Sequence, residues 1–163
     1  MEEKIMYTNY LLTGPKTMKF IHVTKNNEVI FKESMGSIDE KEITRTVSKK
    51  KYQLVSVLTL CDITFAQCAD ATGTDWYNIN GCEKILSLEK GDSVSVDVVA
   101  GEVFFKVVPE HEKNAWIYDA MGNLLAKESK DTNVVFSGSG PCLQKTNEKG
   151  KKILYTFEGY LVG

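Results

Sequence analysis

The stretch LSLEKGDSVSVDVVAGEVFFKVV, residues 86–108, decides the fold class. Val94, Val96 and Val98 alternate with Ser93, Ser95 and Asp97, the period of two that lets a strand bury one face and wet the other. Glu89-Lys90-Gly91-Asp92 before this run and Ala100-Gly101 after it supply the polar and glycine positions that chain reversals require. Val103, Phe105 and Val107 then give one apolar face, while Phe104 and Val108 make the other partly apolar. The pattern predicts an antiparallel pair covered on both faces and interior to its architecture, as in a two-layer sandwich or a closed barrel.

Working outward, residues 18–23 and 28–32 flank Lys25-Asn26-Asn27, where asparagine tolerates the left-handed backbone of a tight hairpin. Residues 5–12 read as a first strand ended by Thr13-Gly14-Pro15. Residues 116–119 and 124–127 face each other across Ala120-Met121-Gly122-Asn123, residues 134–137 add a short strand, and residues 153–162 close the chain as another. The most polar stretch, residues 34–51, fits a short helix or an exposed loop, with Ser37 and Glu40 spaced as a capping box and residues 44–47 able to extend as a strand. Residues 52–65 (YQLVSVLTLCDITF) are the most apolar and predict a central buried strand with a bulge near Cys61-Asp62. Together these signals predict one all-β domain over residues 1–163, an antiparallel β-sandwich or jelly roll of about ten short strands with at most one short helix.

Composition narrows the function classes. Twenty Lys and Arg against 22 Asp and Glu give a formal charge of -2, which provides no field for a polyanion. Arg45 is the sole arginine, so bidentate phosphate and base recognition is nearly absent, and nucleic acid is not an expected partner. The lysines at 49–51 and 149–152 read as solvated turns. No run approaches the roughly 18 apolar residues of a spanning helix, so no membrane partner is expected. The opening MEEKIMYTNYLL carries acids where a secretory leader is basic, which predicts a protein that stays cytoplasmic as synthesised, with virion or particle association open to it.

Cys61, Cys68, Cys82 and Cys142 follow C-x6-C-x13-C-x59-C, a spacing that matches no zinc finger or ribbon. Buried free thiols are favoured over two disulfides. Only His22 and His111 are available as imidazole bases; Gly138-Ser139-Gly140 lacks the first glycine of a nucleophile elbow, and Glu110-His111-Glu112 does not continue to a second histidine. No catalytic residue, metal or cofactor is expected, and a thiol-dependent enzyme, for instance through a Cys82 or Cys142 pair with His111, is the weakest reading.

Residues 70–83 (DATGTDWYNINGCE) abandon periodicity and read as a long loop, the kind of segment that carries function. Asp70, Thr72, Asp75, Trp76, Tyr77, Asn78, Asn80 and Glu83 form its candidate binding set. An EF-hand order fails because Trp76 takes the first ligand position. Aromatic rings beside Asp and Asn suit a sugar, and the same two rings suit a plug beneath a polar loop. The leading expectation is a non-catalytic structural or interaction module that presents loops from a sandwich, with a protein partner or self-assembly into a homo-oligomer or larger particle. A carbohydrate-binding module using residues 70–83 is the alternative.

Overall fold

The computed structural model describes residues 4–15, 17–35, 43–138 and 140–162. The chain is all-β, with antiparallel strands throughout, and divides into two compact units, residues 1–87 and 88–163. Among the described residues fifteen strands are formed where about ten are expected from turn spacing. Several are short, and three of the extra ones lie in segments whose sequence carries no alternation. No helix is present among the described residues, and the Ser37–Glu40 capping box lies outside them.

In the first unit, β1 (Ile5–Gly14), β2 (Thr17–Thr24), β3 (Glu28–Met35) and β4 (Ile43–Lys51) form one meander in sequence order. β5 (Leu54–Leu60), β6 (Ile63–Ala69), β7 (Gly73–Asn78) and β8 (Glu83–Glu89) form a second. The β2–β3 hairpin turns where its asparagines predict, with Asn27 at φ 61°. Ile21, Val23 and Val29 of the first sheet meet Ala66, Cys68 and Tyr77 of the second, and Ile79 and Cys82 of the turn between β7 and β8, around Tyr52, with Phe31, Val55 and Val57 packed on the rim. Each fully buried side chain of this size contributes roughly 1.5–3 kcal/mol to holding the two sheets together as a sandwich.

Two readings of the sequence change here. Residues 52–65 are a hairpin, not one central strand: Cys61 and Asp62 sit at φ 50° and 63° as the two central residues of a tight turn. The turn escapes notice because neither residue is glycine and Cys rarely accepts that conformation. Residues 43–51 are a strand, β4, at the edge of its sheet; exposure along it removes the buried stripe by which strands are recognised.

The second unit holds β9 (Ser93–Val99), β10 (Glu102–Val108), β11 (Asn114–Tyr118) and β12 (Leu124–Ser129) in a sheet of order β12-β11-β10-β9, with β13 (Asn133–Ser137), β14 (Gly140–Thr146) and β15 (Lys152–Tyr155) in a three-stranded sheet. The β9–β10 hairpin pairs Val99 with Glu102 through Ser93 with Val108, turning on Ala100 and Gly101 at φ 54° and 76°. β10 is buried on both faces, as its sequence predicts. β9 is not interior: it is the edge strand, and its valines are half-buried or exposed. Phe104, Ile117, Ala126, Val134 and Leu143, one from each of five consecutive strands, form the core of this unit. β14 goes unread in the sequence because Gly140-Pro141 looks like punctuation; the proline stands at the start of the strand, where a missing N–H is tolerated. The closing strand is four residues long, after which Thr156 to Tyr160 turn and Tyr155 bridges Leu161.

Candidate functional site

Residues 70–83 are not one long loop: half of them are strand. Gly73–Asn78 is β7, and Asp75, Trp76, Tyr77 and Asn78 are all buried. Alternation is missing because both faces of β7 are covered, so polar and aromatic residues alike lie inside. The eight candidate residues therefore do not converge. Asp70 and Thr72 belong to the turn before β7, where the Asp70 carboxylate accepts from the Thr72 N–H (2.8 Å), its hydroxyl (2.6 Å) and the Gly73 N–H (3.2 Å). Asn80 belongs to the turn after it and accepts from the Thr64 N–H at 2.7 Å; Asn78 accepts from Gly81 at 3.0 Å. Glu83 opens β8 and is exposed. Trp76 and Tyr77, each 3% exposed, present no ring face on which a pyranose could stack.

Asp75 is the centre of what this region builds. One carboxylate oxygen accepts from the Tyr52 hydroxyl at 2.6 Å and from the Lys50 ammonium at 3.0 Å; the other accepts from the Ser87 hydroxyl at 2.7 Å. Because the single Tyr52 proton goes to Asp75, the Tyr77 hydroxyl donates to Tyr52, giving a relay from Tyr77 through Tyr52 to Asp75. Lys50 also lies 3.6 Å from Asp70 and 5.0 Å above the Tyr52 ring. Burial pushes the Asp75 carboxyl up, but the hydrogen bonds from Tyr52, Ser87 and Lys50 outweigh it and hold the group below its ordinary range. Lys50 is raised, first by its hydrogen bond to Asp75. Burial drives the Tyr52 phenol far above its ordinary value and the Tyr77 phenol up to about 12. The Cys68 thiol is likewise raised to about 12, by burial first and then by the Asp75 charge. The phenols are held protonated as donors and the thiol is held protonated, and the cluster works as a staple joining β4, the segment before β5, β7 and β8.

Sequence reasoning finds Asp75 and Tyr77 and misses Lys50, Tyr52 and Ser87, which stand 25, 23 and 12 residues from Asp75. One signal was present. In the run Lys49-Lys50-Lys51 a strand period turns the middle lysine to the opposite face from its neighbours, and the register sets Lys50 beside Val29 of the core. All four cysteines are free; Cys61 alone is exposed, and burial raises the Cys82 thiol as well. No cluster of potential metal ligands occurs among the described residues. Two shallow cavities in this unit, of about 140 and 150 Å³, fall below the roughly 300 Å³ at which small-molecule sites begin.

The exposed chemistry of the first unit lies on β1. It pairs with β2 on one side, and among the described residues no strand pairs on the other. Ile5, Met6, Tyr7, Tyr10, Leu11 and Leu12 remain 39–68% exposed. Thr8, Tyr10 and Leu12 form one row, opposite His22, Phe20 and Met18; the Tyr10 ring lies 6.2 Å from Phe20, which stacks on His22, itself bonded to the Thr8 hydroxyl at 2.9 Å. Tyr7, Asn9 and Leu11 form the other row, and the Asn9 amide donates to the Ile79 carbonyl at 3.0 Å, tying β1 to the second sheet. Compared with known proteins, the chain matches no family model and no curated protein.

Proposed function

We propose that this chain is a non-catalytic interaction module that presents sheet edges and works within an oligomer or larger assembly. The observation that carries the reading is β1: a ten-residue edge strand without a single Asp, Glu, Lys or Arg, with six large apolar side chains exposed along it. An exposed, long, apolar edge offers unpaired N–H and C=O groups and is a template for another strand, and proteins that gain nothing from such pairing blunt it. The polar cluster supports the same reading, because its carboxylate, phenols and lysine are spent on one another and tie strands together.

The test is the mass of the chain in an extract of the cell that makes it, read by native size-exclusion chromatography. The expected result is a species well above 18.3 kDa that returns to monomer mass on Leu12→Lys. Monomer mass in the extract and after purification overturns the proposal.

A further inference from the structure

We infer that the partner of β1 is β1 of a second copy, the two strands pairing antiparallel about a two-fold axis so that the four-stranded meander becomes one eight-stranded sheet. The inference rests on the reading of β1 as an interaction edge and names its occupant. Three observations select it.

The first is charge. Antiparallel self-pairing sets each residue opposite another of the same strand, and like charges directly opposed are destabilising. Ile5–Gly14 contains no Asp, Glu, Lys or Arg, so no register of β1 on itself opposes like charges. The far edge of the same sheet cannot do this. β4 carries Arg45, Lys49, Lys50 and Lys51, and self-pairing centred on Val47 would set Arg45 against Lys49. In the second sheet, β8 carries Glu83, Lys84 and Glu89, and β5, though uncharged, leaves only Leu54 among its large side chains exposed.

The second is shape of the surface. The exposed apolar side chains of β1 sit in both rows, Tyr10 and Leu12 in one, Tyr7 and Leu11 in the other. A partner that covered a single face would leave half of them wet. A strand added in the plane of the sheet flanks both rows at once.

The third is area. Six large side chains at 39–68% exposure offer on the order of 600 Å² per copy. That stands at the low end of specific interfaces, which bury about 1,200–2,000 Å² in total. An interface of that size suits a reversible dimer, one that forms and dissociates with concentration.

Sedimentation equilibrium of the purified full chain from about 1 to about 200 µM tests this. The expected result is an average mass that rises from 18.3 kDa toward twice that value with concentration. Tyr10→Lys with Leu12→Lys raises the dissociation constant at least tenfold, while Val47→Lys on β4 leaves it unchanged; all three positions are exposed, and circular dichroism checks that the variants keep the wild-type strand signal. A single 18.3-kDa species at every concentration, or a dimer indifferent to the β1 lysines, overturns the inference. A purified monomer that runs in extract as a larger assembly sensitive to Leu12→Lys overturns the second copy as partner and leaves the interaction-module reading standing.

Discussion

The first sheet has two edges built on opposite terms. β1 is uncharged and apolar in both of its rows; β4 is cationic, and three of its four charges are engaged, Arg45 with Glu33 at 2.9 Å, Lys49 with Glu28 at 2.9 Å and Lys50 with Asp75 at 3.0 Å. Lysines along an edge and a charge pointed inward are two of the devices by which proteins keep sheets from growing. β4 has both, and β1 has neither. The contrast teaches that the sheet has a direction: it is closed at β4 and open at β1.

The largest effect available on this contrast is at Asp75. Asp75→Ala leaves the buried Tyr52 hydroxyl and the Ser87 hydroxyl without their acceptor and takes one of two carboxylate partners from the half-exposed Lys50, a loss of about 1–3 kcal/mol in the urea-unfolding free energy. Hydrogen exchange locates the damage: β4 amides exchange faster and β1 amides do not. Equal loosening of both edges would break the claim that the cluster serves β4.

Next is pH. Asp75 lies below its ordinary value, so its contribution is complete above the unfolded carboxylate pKa near 3.8 and is lost as pH falls through the lower folded value. Lys50 lies above its own ordinary value, so its contribution is complete below 10.5 and is lost as pH rises through the higher folded value. The β4 anchor therefore holds between these limits, and Asp75→Asn flattens the acid limb of a thermal-stability profile. Self-association through β1, a strand without Asp, Glu, Lys or Arg, does not follow that acid limb. A dimer constant that followed the acid limb would tie the two edges together and contradict the contrast.

Salt gives the smallest effect. Raising NaCl from about 0.1 to about 1 M weakens the exposed Arg45–Glu33 and Lys49–Glu28 pairs by no more than about 0.5 kcal/mol each, and it leaves the apolar β1 association equal or tighter. Weaker association at high salt would point to a charged partner surface.

How much of this could be read from residues alone depends on what each strand has at its back. β9 and β10 are legible because valines alternate with serines and a glycine marks the turn, and β2–β3 because Asn27 supplies a positive φ. β7 is illegible for a physical reason: with both faces covered, Asp75 and Asn78 sit inside on hydrogen bonds and no period survives. β4 fails in the opposite way: residues 44–51 are all exposed, so no buried stripe marks it. For the site, the sequence shows Asp75 and Tyr77 as unusual but not what they bind, since Lys50, Tyr52 and Ser87 reach them only through the pairing of two sheets. The open edge was visible as an apolar segment, residues 5–12, but which edge of which sheet it would occupy is a fact of topology.

The open edge is tested most directly by hydrogen exchange of the purified chain at low and high micromolar concentration, read on peptides covering Ile5–Gly14 and Ile43–Lys51. The account predicts that β1 amides gain protection as concentration rises while β4 amides stay unchanged. Exchange at β1 that is the same at both concentrations, or protection that appears at β4 instead, would contradict it.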